Sequence, residues 1–277
     1  MNIQILGSGG GEGYPALFCG CEHCMAARKA GGKSIRTLSQ TLVDGKLLID
    51  LPADTPAHFR QLGRSLGEME HLLITHVHGD HYCPGLLETR GTDFAPVLGV
   101  RQLHIYGNAD VKRLFNGYYG LFPIREEIRR EIVIHTLTPF RSERIGGYQV
   151  TPLKANHAPE QTALNYIVDD GKSTLLYLLD SGFPTEETLA FLAKYPRKFD
   201  CVVMDGTMGF SYYVYHMNFQ QNMELKDRLM ELGMADENTR FVVAHITHNH
   251  ASLHEQIETH FQESGIEIAY DGAVVTV

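Results

Sequence analysis

The stretch Thr75-His76-Val77-His78-Gly79-Asp80-His81 sets three imidazoles and a carboxylate within seven residues, directly after the apolar run Leu72-Leu73-Ile74. That run reads as a buried strand, so the polar side chains occupy the loop leaving its C-terminal end. Imidazole is the commonest ligand of zinc and related metals, and a carboxylate adds a hard oxygen donor. In an extended loop His76 and His78 point the same way and can chelate one ion. Asp80 and His81, past the Gly79 bend, can face a second. The chain has 15 histidines, but a chance cluster would need four matches at fixed spacing to give H-x-H-x-D-H. The stretch predicts a hydrolytic site for two metal ions.

Composition sets the frame around it. A chain of 277 residues, 43% hydrophobic and 21% charged, can bury a substantial core. No apolar run approaches the roughly 20 residues that span a bilayer, so no membrane association is expected. The start, Met1-Asn2-Ile3-Gln4-Ile5-Leu6-Gly7, lacks the basic and long apolar regions of a secretory signal. Five cysteines, three of them in Cys19-Gly20-Cys21-Glu22-His23-Cys24, do not form a disulfide-framework pattern, and a cytoplasmic location is expected. A formal net charge of −9 argues against tracking along extended nucleic acid.

Alternating and apolar runs predict strands at 2–6, 40–43, 46–50, 71–75, 103–106, 131–136, 148–154, 163–169, 173–179, 201–205, 240–244, 267–269 and 273–277. Helices are predicted at 55–66, 110–118, 185–194, 218–232 and 252–264. Helices follow groups of strands instead of alternating with them, which favours a layered α/β sandwich. Several predicted strands end on a metal-capable residue: His157 follows 148–154, Asp180 follows 173–179, Asp205 closes 201–205, and His245 follows 240–244. Strand ends on one edge of a sandwich converge, so these residues can meet the 76–81 loop in one cleft. The glycine-rich turn Gly7-Ser8-Gly9-Gly10-Gly11-Glu12-Gly13 misses G-x-G-x-x-G in either register and precedes no convincing helix, which excludes a dinucleotide fold.

In chain order, His76-Val77-His78-Gly79-Asp80-His81, His157, Asp180 and His245 resemble the five-part signature of the metallo-β-lactamase superfamily. The likeness extends over nearly the whole chain, 1–277, as one hydrolase domain. It implies an αββα four-layer sandwich with a dinuclear site on one edge of its two sheets. His76, His78 and His157 would hold one ion, Asp80, His81 and His245 the other, and Asp180 would bridge them. Zinc, manganese or iron suits such a donor set. Three thiolates spaced as Cys19, Cys21 and Cys24 can fill three corners of a structural zinc site. With His245 committed elsewhere, His248 of Ala244-His245-Ile246-Thr247-His248 is the leading fourth ligand. His250, His254 and His23 are its rivals.

The cysteine triplet with an H-x-x-H near the C-terminus resembles the PhnP-type cyclic phosphodiesterases, which are themselves similar to tRNA-processing ribonucleases. That resemblance implies a small phosphodiester substrate, such as phosphoribosyl 1,2-cyclic phosphate or a cyclic nucleotide. Asp205-Gly206-Thr207 and His216-Met217-Asn218 resemble the paired Asp and His outside the metal shell. His216 oriented by Asp205 is the candidate acid for the leaving alkoxide, and Asp80 belongs to the catalytic set. Asp50-Leu51-Pro52-Ala53-Asp54 departs from the family's small residues, and 106–144, with Tyr118-Tyr119-Gly120-Leu121-Phe122, is expected as a variable substrate lid. Lys33, Arg36 and Lys154 are candidate phosphate binders, and the tyrosines at 212, 213 and 215 read either as a packed wall or as a stacking surface. Oligomeric state stays open, although a homodimer is common among similar enzymes. The competing functions are a tRNA-processing ribonuclease, a lactone or thioester hydrolase, and a noncatalytic accessory protein of cofactor biosynthesis.

Overall fold

The computed structural model describes residues 1–90, 94–249 and 253–277. Its strands are β1 (Asn2–Gly7), β2 (Gln40–Val43), β3 (Leu47–Ile49), β4 (His71–Leu73), β5 (Leu103–Gly107), β6 (Ile132–Thr136), β7 (Glu143–Ile145), β8 (Tyr148–Lys154), β9 (Leu164–Asp169), β10 (Thr174–Leu178), β11 (Cys201–Asp205), β12 (Arg240–Ala244), β13 (Ile266–Ile268) and β14 (Val274–Thr276). They form two seven-stranded sheets, ordered β14-β1-β2-β3-β4-β5-β6 and β13-β12-β11-β10-β9-β8-β7. Within the first sheet β3 to β6 run parallel, and within the second β10 to β13 do.

Side-chain alternation explains the layering. In β10 and β11, Leu175, Tyr177, Cys201 and Val203 point between the sheets, while Leu176, Val202 and Met204 point outward. Both faces are therefore apolar, and each outer face needs helices to cover it. The helices are α1 (Glu22–Ala30), α2 (Thr55–Leu62), α3 (Ala109–Leu121), α4 (Glu126–Arg130), α5 (Glu186–Leu192), α6 (Phe219–Glu231) and α7 (His254–Phe261). Phe59, Val111, Phe115 and Ile128 cover the first sheet, and Leu189, Leu225, Leu229 and Ile257 cover the second. The result is a four-layer αββα sandwich. No helix among the described residues is long and apolar enough to cross a membrane.

Local chemistry sets the helix ends. The Asn218 side chain caps α6 in a box with Gln221, and Asn108 caps α3. Helix α2 stops at Leu62 because Gly63 turns left-handed, four residues before the predicted end. Helices α1 and α4 and strand β7 were not expected. Each is short, and α1 buries only Cys24 and Ala27, so it carries no apolar stripe for a periodicity to reveal. Residue 252, the predicted start of the last helix, lies outside the described residues.

The segment 106–144, expected as a substrate lid, is mostly helix and strand. It is the β5-α3-α4-β6 crossover, with Val111, Phe115 and Tyr119 of α3 buried on the sheet. A crossover between parallel strands sends α3 back along them, so Tyr118 to Phe122 lie about 15 Å along the helix from its start at the strand ends.

Candidate active site

The site gathers where β4, β8, β10, β11 and β12 end. Two groups of ligand atoms form there around the expected ligands, His76, His78, His157 and Asp180 in one, and Asp80, His81, His245 and again Asp180 in the other, while a third set, Asp180, Asp205, His216 and His245, overlaps them. Within each group all ligand atoms lie within 4.8 Å of one another. His76 Nε2 is 2.9 Å from His78 Nδ1, which is 3.2 Å from His157 Nε2. His81 Nε2 and His245 Nε2 are 3.3 Å apart. Asp180 Oδ2 lies 3.0 Å from His76 Nε2 and 3.2 Å from His81 Nε2, so one carboxylate oxygen faces both groups. Asp180 and His245 hold left-handed backbone angles, φ 52° and 60°. For residues with a side chain, such strain persists only where surrounding structure over-determines it.

Each of the five imidazoles is oriented from behind. His81 Nδ1 is 2.7 Å from Asp50 Oδ2, His76 Nδ1 is 3.0 Å from Thr75 Oγ1, and His157 Nδ1 is 3.2 Å from the Tyr215 carbonyl. His245 Nδ1 is 2.7 Å from Thr207 Oγ1, whose hydroxyl donates to Asp205, and His78 Nε2 is 3.3 Å from Glu160. An acceptor behind each ring holds a proton on the remote nitrogen, which leaves a lone pair aimed inward. Opposed lone pairs about 3 Å apart repel unless positive charge lies between them.

Carboxylates and imidazoles offset one another's charge across the two groups. Burial disfavours charge on Asp180, yet the imidazoles of His245, His216, His76 and His81 hold it well below the carboxylate range. Asp80 is likewise held far down, by His81 and His245 against its burial. Burial opposes charge on His81 and His245 too, but the facing carboxylates raise both. His76 instead is lowered to about 4 by burial. The buried Asp180 Oδ1 receives no aligned hydrogen bond. This nitrogen and oxygen donor set, with Asp180 Oδ2 facing His76, His81 and His157, fits divalent cations.

His216 stands beside both groups. Its Nδ1 is 3.0 Å from Asp180 Oδ1 and 3.3 Å from Asp205 Oδ2, leaving Nε2 to face outward. Burial lowers its affinity for a proton, and the two carboxylates more than offset this, raising it to about 10. Cys19, Cys21, Cys24 and His248 form a separate group within 4.8 Å. Cys21 caps α1 and is lowered to about 6, first by its hydrogen bond to His248 at 3.5 Å and then by the Cys24 N–H. Glu12, 3.2 Å from His248 Nε2, holds that ring from behind. Of the rival ligands, His23 lies beside Glu22 and His254 beside Arg36, and His250 lies outside the described residues.

The structure corrects two readings. Arg36 is fully buried, donating to Ser8, Ala269 and His254, so it cannot serve a phosphate. Lys33 lies over the Tyr270 ring and Lys154 beside Glu187. Asp50, taken as a departure from pattern, is the clamp on His81. It also accepts from the Thr75 N–H and hydroxyl. The strand-end pattern that found Asp180 applies equally to Asp50, which closes the run 46–50. The glycine-rich turn also has a role: a Cβ on Gly10 would meet Thr247 at 2.5 Å and His245 at 3.2 Å, and one on Gly11 would meet Asp80 at 3.3 Å.

Comparison with known proteins identifies the family and fold. A model of the β-lactamase superfamily domain matches residues 46–246. Ribonuclease Z of Clostridium perfringens is 26% identical over 125 residues, covering 44% of this chain and 33% of the relative. The match thus spans a third of that relative's length. The crystal structure of a new diphosphatase from the PhnP family superposes with TM-score 0.76 at 20% identity, covering 100% of this chain and 97% of the other. Zinc-bound PqqB from Methylobacterium extorquens superposes with TM-score 0.70 at 17% identity, covering both chains fully, 100% and 100%. The two mixed sheets, their helical layers and the matched span together show that the chain belongs to the β-lactamase superfamily domain family and has the metallo-β-lactamase fold.

Proposed function

We propose that this protein is a metal-dependent phosphodiesterase acting on a small cyclic phosphodiester, such as phosphoribosyl 1,2-cyclic phosphate or a cyclic nucleotide. The observation that carries the reading is one carboxylate, Asp180, shared by two ligand groups with His216 held beside it. His76, His78 and His157 would hold one divalent ion, Asp80, His81 and His245 the second, and Asp180 both. Zinc, manganese or iron suits this set, and zinc suits Cys19, Cys21, Cys24 and His248. Bound there, two such ions would polarise a phosphoryl oxygen and lower the pKa of water toward neutrality. Opening a diester also requires a proton for the departing alkoxide. His216 supplies it from Nε2, because Asp180 and Asp205 occupy the side of the ring bearing Nδ1. Asp205 positions that ring and, through Thr207, the ring of His245.

The ribonuclease reading requires a surface for a folded RNA, which a net charge of −9 does not favour. The complete ligand set opposes a noncatalytic role. A reduced cysteine cluster suits the cytoplasm. Metal analysis comes first, followed by turnover of bis-p-nitrophenyl phosphate against a p-nitrophenyl carboxyl ester. A panel of cyclic nucleotides and phosphoribosyl 1,2-cyclic phosphate then identifies the substrate. Ester turnover without diester turnover overturns the proposal.

A further inference from the structure

Between Thr207 and Asn218 the chain crosses the site as an arm whose backbone is tied down along its length. Ser211 N donates to Met208 O, Met217 N to Ser181 O, and Phe219 N to Gly209 O. Asn156 Nδ2 donates to Val214 O, and the Tyr215 carbonyl holds His157. The approach is so close that a Cβ on Gly182 would sit 2.1 Å from Val214 O. The same arm leaves Tyr212 71%, Tyr213 49% and Val214 47% exposed. Single exposed apolar residues need no explanation, but three in a row on a fixed arm beside a catalytic cleft form a built surface.

Tyr213 is the residue whose placement is most specific. Its ring lies nearly parallel to His216, 6.0 Å away and tilted by 26°, and the Tyr215 ring meets its edge at 5.6 Å. His216 in turn touches Asp180. The tyrosine face thus stands one imidazole beyond the shared carboxylate, which is where a planar group one sugar away from a bound phosphate would lie. Aromatic side chains bind nucleobases by their faces and tolerate base identity, because every base has a π-face.

We infer that Tyr213, with Tyr212 beside it, is the stacking platform for the base of a nucleoside phosphodiester whose phosphate lies between the two ligand groups. This rests on the phosphodiesterase reading and selects the nucleotide class within it. Two measurements test it separately. Calorimetry on the metal-replete protein compares AMP with ribose 5-phosphate, and the parent should bind AMP about tenfold more tightly. Tyr213→Leu should erase that preference, and Tyr213→Phe should keep it.

In turnover, the ratio of kcat/KM for adenosine 2′,3′-cyclic phosphate to that for ethylene glycol cyclic phosphate should fall about tenfold in Tyr213→Leu, through KM. Equal affinity of the parent for AMP and ribose 5-phosphate overturns the inference. So does a ratio unmoved by Tyr213→Leu, or a drop in kcat on both substrates alike, which would make the ring a support for His216 alone. A parent that hydrolyses neither diester yet prefers AMP would refute the phosphodiesterase reading and leave the stacking site standing.

Discussion

Replacing Asp50 by Asn tests whether the second ligand group depends on a residue that touches no metal. The Asp50 carboxylate is fully buried and accepts from the Thr75 N–H at 2.8 Å and stands 2.7 Å from His81 Nδ1. Asn keeps the shape and tolerates the left-handed φ of 68° at this position. It cannot accept from both partners through two charged oxygens, so the His81 proton loses its carboxylate. Losing such a partner typically costs 10- to 100-fold in metal affinity, about 1.4 to 2.7 kcal/mol. Titration with a competing chelator should show one ion per chain weakened by that factor and the other nearly unchanged. Asp50→Ala should do more harm, since it abandons three buried donors, the Thr75 N–H, the Thr75 hydroxyl and His81 Nδ1, at about 1–3 kcal/mol each. That is a large share of the roughly 5–15 kcal/mol that holds a typical domain together. Asp50→Asn binding both ions as tightly as the parent would refute the clamp.

His216→Ala should keep the parent's metal content and lose roughly 100- to 10,000-fold in turnover of alkyl diesters, and much less with a p-nitrophenolate leaving group, which departs without a proton. Steady-state kinetics on both substrates checks this, and equal losses would deny His216 the role of acid. Cys21→Ser should release about one zinc per chain and lower the melting temperature while the other metal sites stay filled, as metal analysis and calorimetry will show. For pH, His254 is buried against Arg36 and Lys33, and burial first, then those charges, lower it to about 4. The unfolded chain, with an ordinary value near 6.5, therefore takes up the proton first. Stability from this group is full above pH ~6.5 and declines as the pH falls toward 4. Denaturant unfolding should show His254→Gln losing less stability between pH 7 and pH 5 than the parent, and parallel losses would exclude the effect.

Strand periodicity located thirteen of the fourteen strands among the described residues, because an apolar run or strict alternation records which faces are buried. The loop ligands His76, His78, Asp80 and His81 were legible for a related reason: residues that chelate together along one extended loop must sit at fixed spacing. Helix α1 was hidden, since nine residues with two buried positions leave no periodic trace.

Contacts between distant segments leave no spacing to read. His157, Asp180, Asp205 and His245 could be named as strand ends, but their convergence depends on β8, β10, β11 and β12 finishing on one edge. Asp50 became a partner of His81 only because β3 pairs in parallel with β4, which brings position 50 beside the loop after residue 74. The same holds for Arg36, whose charge suggested a phosphate site until packing enclosed it beneath Ser8 and Ala269. Residue type and local order declare the chemistry a segment can perform. Which distant segment completes that chemistry follows from strand order and packing, because those set the few ångströms over which a proton or a charge is shared.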